Sequence, residues 1–342
     1  GLSMESNHRG RRSIVFPQPP AILAYASVAG KKEAQGPLRT SFDLTSDDTS
    51  FGQKTWEKAE TQMQKQALRI ALNKAKLEES ALDAAFLGDL LNQCIGSTFS
   101  LRNSEVPAFG LYGACSTMAE SLLLAGMAVS GGFCRRALAM TSSHFASSER
   151  QYRFPLGYGG QRTPTAQWTV TGAGAVILGV EGAGPFLRNA TIGTIVDAGI
   201  KDANNMGAAM APAAFETLRA HFDDLHRAPE DYDLIVTGDL GKLGSELVRE
   251  LFSREGVRLK ERYQDCGVLI FDTEKQDVHC GGSGCGCSAS VLCGYLLNKL
   301  RSGEIKNLLF CGTGALLSPL STQQGESIPA VCHAVAISTE RS

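Results

Sequence analysis

Residues 111–129, LYGACSTMAESLLLAGMAV, place a single cysteine, Cys115, between small residues directly before a long run of apolar residues. The run predicts a buried helix that begins just after the cysteine. At the N-terminus of a helix, unpaired backbone N–H groups and the positive end of the helix dipole stabilise a thiolate. The stretch therefore predicts a reactive thiol at the start of a buried helix.

The same succession of motifs occurs twice along the chain. Each copy has a short apolar strand that ends in Gly-Asp-Leu, at Asp89 and at Asp239, followed by a cysteine before a helical pattern, Cys115 and Cys287. A Ser-Gly turn and a strand that ends in threonine follow at the same spacing in both copies. This order indicates an internal duplication. The alternation of apolar strands with helices predicts an α/β fold with mainly parallel sheets covered on both faces.

The repeat also divides the chain. We expect a flexible N-terminal tail over residues 1–13, a first half over residues 14–187 and a second half over residues 188–342. Residues 142–169 are polar and have few periodic apolar positions, which is typical of a functional loop over a site.

The composition excludes several classes of protein. A hydrophobic share of 43% with 20% charged residues excludes a disordered or fibrous chain, and a formal net charge of −2 provides no general field for nucleic acid. No apolar run reaches the roughly 18 to 20 residues that a membrane span needs. Ten cysteines without the spacing of a disulfide scaffold indicate reduced thiols, so we expect synthesis in the cytoplasm.

A duplicated βα architecture with a cysteine at the start of its first buried helix resembles the thiolase superfamily, which includes thiolases and β-ketoacyl-carrier-protein synthases. The resemblance implies a five-layered αβαβα fold with two duplicated βα halves, with the cysteine at the pseudo-twofold axis, and a homodimer. The segments that carry it are Gly113-Ala114-Cys115-Ser116-Thr117, Thr171-Gly172-Ala173-Gly174-Ala175 and Cys311-Gly312-Thr313-Gly314.

Further segments resemble a narrower group, the stage V sporulation protein AD family of endospore-forming bacteria. The resemblance implies a protein that binds dipicolinic acid and serves its uptake into the developing spore. Its implied partners are membrane-embedded stage V sporulation proteins, and its implied location is peripheral, at the forespore or spore inner membrane. The segments are Phe16-Pro17-Gln18-Pro19-Pro20, Gln35-Gly36-Pro37-Leu38, Gly88-Asp89-Leu90-Leu91-Asn92-Gln93, Thr141-Ser142-Ser143-His144-Phe145, Gln161-Arg162-Thr163-Pro164-Thr165-Ala166-Gln167-Trp168, Lys201-Asp202-Ala203-Asn204-Asn205-Met206-Gly207 and Gly281-Gly282-Ser283-Gly284-Cys285-Gly286-Cys287-Ser288.

The acid–base partners that thiolase chemistry requires are missing from the positions the resemblance implies. Gly238-Asp239 stands where carrier-protein synthases have a His-Gln pair, and Gly284-Cys285 stands where an Asn or a Gly-His-Pro motif is expected. Three hypotheses remain open. The chain is a binder of pyridine-2,6-dicarboxylate on a degenerate scaffold, an active acyltransferase that uses Cys115, or a structural subunit that docks on membrane proteins.

On the binding hypothesis we predict no catalytic residue, no cofactor and no protein metal site, and we leave open a calcium ion that accompanies the ligand. Asp89 then has three open roles: orienting His144, sharing that calcium ion, or capping a loop through backbone N–H groups. The polar loop adds Glu149, Arg153 and Arg162 as residues within reach. The predicted ligand-binding residues are Asp89, Asn92, Cys115, Ser116, His144, Arg150, Gln167 and Thr313.

Overall fold

The structure is a computed structural model that describes residues 6–152 and 163–342, with the backbone alone at residues 92 and 150–152. Its strands are β1 (His8–Arg9), β2 (Ser13–Val15), β3 (Ala21–Ala29), β4 (Leu44–Thr45), β5 (Ala84–Gly88), β6 (Ala108–Gly110), β7 (Arg136–Ser143), β8 (Trp168–Thr169), β9 (Gly172–Gly179), β10 (Phe186–Thr191), β11 (Val196–Asp197), β12 (Leu234–Thr237), β13 (Tyr263–Asp265), β14 (Gly282–Ser283), β15 (Asn307–Ala315) and β16 (Pro329–Ser338). Its helices are α1 (Trp56–Ala75), α2 (Ile95–Ser100), α3 (Thr117–Ser130), α4 (Phe145–Tyr152), α5 (Met206–Leu225), α6 (Gly241–Arg254), α7 (Cys266–Ile270), α8 (Cys285–Val291), α9 (Leu297–Arg301) and α10 (Pro319–Gln323), and a π-helical turn, Leu292–Leu296, joins α8 to α9.

The strand order confirms the duplicated halves. The first half runs β6-β5-β7-β9-β3 and the second runs β13-β12-β15-β16-β10, so that each half, numbered from its own first strand, has the order 3-2-4-5-1. The two sheets join through one pair of residues, Phe186 and Ala21. Within each half, two neighbouring pairs are parallel and two are antiparallel. The prediction of mainly parallel sheets is therefore wrong, because the fifth strand of each half returns beside the fourth in the opposite direction.

Helices cover both sheets and also separate them. Helix α3 packs on β5 and β7 of the first half and on β15 and β16 of the second, and it contacts α8, which packs on β7 and β9. Helix α1 covers the outer face of the first sheet, and α5 with α6 covers that of the second. The layers are therefore α, β, α, β and α, as the sequence predicts.

Side chains that alternate along a strand pack into the helical layers on opposite faces of the sheet. In β5, Ala84 and Phe86 join the apolar cluster that contains the central helix α3, whereas Ala85 and Leu87 join the cluster that contains α1. Successive strand side chains point to opposite faces, so a strand between two helical layers must be apolar throughout. In the part of the chain that the structure describes, no helix combines the length and the apolar character needed to cross a membrane.

The N-terminal segment differs from the flexible tail that the sequence predicts over residues 1–13. Strand β1 pairs with β2, and Ser13 is fully buried. The Ser13 hydroxyl donates to the Asp224 carboxylate at 2.7 Å, and the Arg12 backbone N–H donates to the same group at 3.1 Å. The partner lies on α5, more than 200 residues away, so no local pattern could reveal that residues 8–13 are fixed in place.

Candidate functional site

A tight turn presents Cys115 at the start of α3. Ala114, immediately before it, adopts a left-handed conformation with φ of 51°, which a residue with a side chain seldom takes. The Ser116 hydroxyl donates to the carbonyl of Gly113 at 2.6 Å, and the Thr117 hydroxyl donates to the carbonyl of Ala114 at 2.6 Å. The turn is thus held by its own side chains, and Cys115 is left half-buried beside it.

Strand β15 of the second half passes directly under this turn. A side chain at Gly314 would overlap the carbonyl oxygen of Gly113, and one at Gly312 would press on the Ala119 side chain of α3. Only glycine permits this approach of strand to helix. The approach brings Thr313, which lies between the two glycines, into the site.

The carboxyl group of Asp239 lies close enough to the Cys115 thiol for each group to shift the pKa of the other. Asp239 follows β12 and is fully buried. Its carboxylate also accepts from the Gly284 backbone N–H at 2.9 Å and from the Thr313 hydroxyl at 2.8 Å. The Gln167 amide donates to the Asp239 backbone carbonyl at 2.7 Å. The segments that contain Cys115, Gln167, Gly284 and Thr313 therefore converge on Asp239.

Burial, and then the negative charge of Asp239, raise the pKa of Cys115 well above that of an ordinary thiol, and the Gly284 N–H opposes this only in part. A helix N-terminus favours an anion by about 0.3 to 1 kcal/mol. A carboxylate about 4 Å from a thiolate disfavours it by about 4 kcal/mol at an effective dielectric constant of 20. The carboxylate outweighs the dipole, so this environment disfavours the thiolate that the helix start alone predicts at Cys115.

Asp239 has an unusual pKa as well. Burial raises it to about 6, against the hydrogen bonds from Gly284, Cys115 and Thr313, which favour the charged form. The carboxyl group therefore changes charge under mildly acidic conditions. The pair of Asp239 and Cys115 offers hydrogen-bonding groups and a titratable charge beside the thiol.

The two halves of the chain meet at this point. Ser143, at the end of β7, accepts a hydrogen bond from the Gly286 N–H at 3.1 Å, and Thr141 donates to the carbonyl of Cys285 at 3.1 Å. A side chain at Gly284 or Gly286 would overlap Ser143. The glycine-rich segment before α8 is therefore packed against the first half, as part of the wall of the site.

Two predicted ligand-binding residues join Cys115 here, namely Thr313 and Gln167. Ser116 does not, because it is fully buried and its hydroxyl is used by the carbonyl of Gly113. The prediction of Ser116 as a ligand-binding residue failed because a serine beside a helix start has backbone acceptors within reach of its own side chain.

Asp89 caps a loop of the first half. Its carboxylate accepts from the Leu91 N–H at 2.9 Å and from both the N–H and the hydroxyl of Ser97, at 2.6 and 2.7 Å. It is fully buried, and burial raises its pKa. Of the three open roles, these contacts support the cap; His144 has other hydrogen-bond partners, and a shared calcium ion stays a prediction.

His144 is held within the first half as well. Its Nε2 lies 2.7 Å from the carbonyl oxygen of Thr49, and its Nδ1 accepts from the Ala146 N–H at 3.1 Å. We therefore assign the proton to Nε2. Burial lowers the pKa of His144, which keeps the ring neutral. Both nitrogens have partners other than Asp89 and Cys115, so the prediction that His144 serves as a donor to the ligand is not supported by its contacts.

Several predicted residues fall outside the described part of the chain. These are the side chains of Asn92 and Arg150 and the whole of Arg153 and Arg162. Across residues 6–152 and 163–342, no group of three or more histidine, cysteine, aspartate or glutamate side chains is placed to hold a metal ion.

The sequence interpretation overlooked two residues of the site, Asp239 and Gly284. It treated both positions as places where a catalytic partner is missing, not as the groups that face Cys115. The duplication contained the signal, because Asp239 repeats the strand end of Asp89 and the ends of corresponding strands face the same region of a duplicated fold.

Comparisons with solved structures agree on the fold. The cerulenin-bound OleA of Xanthomonas campestris has a TM-score of 0.61 and 15% identity over 98% of this chain and 100% of that chain. The 3-oxoacyl-[acyl-carrier-protein] synthase III of Aquifex aeolicus VF5 has a TM-score of 0.57 and 13% identity over 93% of this chain and 99% of that chain. At such low identity they show the thiolase-like fold alone.

Comparisons of sequence identify the family. Residues 10–338 match the family described as Stage V sporulation protein AD. The Stage V sporulation protein AD of Bacillus subtilis (strain 168) is 44% identical over 326 residues, which cover 95% of this chain and 96% of that protein. The chain therefore belongs to the stage V sporulation protein AD family, with a role in sporulation.

Proposed function

We propose that this protein binds dipicolinate at the Cys115 site and serves dipicolinate uptake into the developing endospore, without using Cys115 as a nucleophile. The observation that carries the proposal is the buried carboxyl group of Asp239 beside Cys115, whose charge contributes to the raised pKa of the thiol. A thiolate that is disfavoured in this way argues against use of Cys115 as a nucleophile. The polar recess defined by Cys115, Asp239, Thr313 and Gln167 supports binding without reaction.

The groups around the recess suit a small planar ligand with carboxylates. Helix α3 directs its positive dipole end toward the recess, and Thr313 and Gln167 bring a hydroxyl and an amide to it. The charge of Asp239 opposes an anion, which leaves two ways to bind. The ligand enters with a proton on Asp239, or it enters with a calcium ion that offsets the charge.

Calorimetric titration with dipicolinate, with and without calcium, tests the proposal on two variants of Cys115. Cys115→Ser keeps the size and the hydrogen bond, so we expect its affinity to stay within about threefold of wild type. Cys115→Phe fills the recess, and we expect at least a tenfold loss, on the order of the 1 to 3 kcal/mol of a lost buried polar contact. Unchanged affinity in Cys115→Phe would place the ligand elsewhere.

The alternative function is acyl transfer through Cys115. It is favoured by the strained left-handed turn at Ala114, a feature that clusters at active sites. Incubation with an acyl-coenzyme A, followed by intact mass measurement, distinguishes the two. A stoichiometric thioester that disappears in Cys115→Ala would support the enzyme, whereas the binding proposal expects no adduct.

We further propose that two copies associate, and that the protein acts at the forespore or spore inner membrane with membrane-embedded stage V sporulation proteins. Strand β6 supports the first part, because it lies at the end of the sheet with all three residues exposed. Phe109 is 58% exposed there and Tyr112, just beyond it, is 46% exposed. An uncovered edge strand with aromatic side chains is suited to pairing with another chain.

A further inference from the structure

Far from Cys115 in sequence, two adjoining cavities of about 350 and 680 Å³ share Arg188, Asn189, Arg227 and Ser342 among their lining residues. The larger one adds Arg9 and Arg341. We propose that these cavities form one anion-binding basin for the phosphate group of a phosphate ester, either a soluble one or the headgroup of an anionic phospholipid.

The arginines of the basin contact backbone carbonyls and an aromatic ring. The Arg188 guanidinium donates to the backbone carbonyl of Glu340 at 3.5 Å, and that of Arg341 lies over the Phe186 ring at 4.7 Å. Arg9 donates to backbone carbonyls of its own hairpin. Within the part of the chain that the structure describes, none of the four arginines forms an ion pair with an acidic side chain.

The two acidic side chains that line the cavities are already used. The Asp224 carboxylate accepts from Arg11 N–H, Arg12 N–H and the Ser13 hydroxyl. Asp231 accepts from the backbone N–H of Ala228 at 2.8 Å. Four guanidinium groups outnumber the two hydrogen-bonded side-chain carboxylates and the α-carboxylate of Ser342, so the lining of the basin is positive, although the whole chain has a net charge of −2.

A buried polar group supplies a second, independent indication. Asn189 lines both cavities, is only 8% exposed, and its buried Oδ1 has no hydrogen-bond partner among the described residues. A buried amide oxygen without a partner is costly, so it indicates a missing ligand or water, or an amide turned the other way. The amide of Asn189 can donate to an anion between Arg188 and Arg227 once its nitrogen faces the cavity.

The shape of the lining specifies the class of anion. A tetrahedral phosphate presents three or four oxygens, which matches guanidinium forks that arrive from different elements better than the two oxygens of one carboxylate do. The combined space far exceeds a single inorganic ion. Val15, Phe16, Pro17 and Pro19 form an apolar wall of the larger cavity, which can contact the organic body of an ester.

The test compares Arg188→Gln/Arg227→Gln with Arg69→Gln/Arg258→Gln, which removes the same charge from two exposed arginines elsewhere. The probes are glycerol 3-phosphate, titrated by calorimetry, and vesicles of phosphatidylglycerol or phosphatidylcholine, tested by co-sedimentation. We expect wild type and the control to bind, and the basin variant to bind at least tenfold more weakly. Binding of glycerol 3-phosphate identifies a soluble ester, whereas binding of phosphatidylglycerol vesicles alone identifies a lipid headgroup.

Three results would overturn the assignment: no binding of either probe to the wild type, equal losses in both double variants, or equal binding to both kinds of vesicle. Thermal unfolding of each variant shows whether a loss of binding reflects a loss of folding. Dipicolinate titration of the basin variant tests whether the basin takes part in dipicolinate binding. We expect its dipicolinate affinity to be unchanged, and a loss there would move the dicarboxylate to the basin and refute the phosphate assignment.

Discussion

Replacement of Asp239 by asparagine should turn the Cys115 thiol from inert to reactive. The amide keeps the size of the carboxyl group; its oxygen can still accept from the Gly284 N–H, and its nitrogen, in place of the other carboxylate oxygen, can donate to the Thr313 hydroxyl. What disappears is the negative charge beside the sulfur, which contributes to the raised pKa of Cys115. The burial of the thiol remains, so the variant isolates the electrostatic part of the effect.

The expected rate follows from the charge interaction. Removing about 4 kcal/mol of repulsion raises the thiolate population by up to about a thousandfold. A thiolate of lower pKa is also a weaker nucleophile, with a Brønsted coefficient of about 0.4 to 0.5. Together the two effects predict an alkylation rate on the order of 40-fold above wild type at pH 7.5.

The assay is iodoacetamide labelling followed by peptide mass analysis, which reports Cys115 separately from the other nine cysteines. Asp89→Asn is the matched control, because it changes the corresponding strand end of the first half without touching Cys115. We expect the control to label Cys115 at the wild-type rate, within about twofold. Equal rates in wild type and Asp239→Asn would refute the conclusion that this carboxylate suppresses the thiol.

Four further substitutions or changes of condition should have measurable effects. Burial raises the pKa of Asp265 to about 7, above about 3.9 in an unfolded chain. Its contribution to stability is therefore complete below pH 4 and is lost as pH rises through 7. In urea unfolding, the free energy of unfolding of Asp265→Asn should fall by up to about 4 kcal/mol less between pH 4 and pH 8 than that of wild type. Gly314→Ala forces strand β15 away from the start of α3 and should lower the free energy of unfolding by about 2 kcal/mol. Gly110→Ala is the control: its added carbon lies 3.8 Å from the nearest neighbour, so the free energy of unfolding should hardly change. Without calcium, calorimetric dipicolinate affinity should rise as pH falls from 7.5 to 5.5, because Asp239, with a pKa of about 6, loses its charge; the trend should vanish in Asp239→Asn. Phe109→Asp should leave the thermal midpoint within a few degrees of wild type but produce a monomer in analytical ultracentrifugation, and an unchanged sedimentation coefficient would contradict pairing through β6.

The sequence determined the duplication and the layers, but not the strand directions. Two copies of the Gly-Asp-Leu strand end, at Asp89 and Asp239, with a cysteine and a helix after each, predict the duplicated halves, and apolar strands between helices must be covered on both faces. The five layers are what the resemblance to the thiolase superfamily implies. The turn at Cys115 and the approach of Thr313 are also visible in the sequence, as small residues flanking a cysteine and as glycines on either side of a threonine.

Only the tertiary structure decided which of the two matching aspartates meets Cys115. Asp89 finds donors no more than 8 residues away, in Leu91 and Ser97, and closes a local loop. Asp239 takes its donors from positions 45 and 74 residues away, Gly284 and Thr313, which the packing of β12, β15 and α8 brings together. Identical motifs thus have different functions, because a buried carboxylate pairs with whichever donors lie within 3 Å, and folding, not sequence order, determines which donors those are.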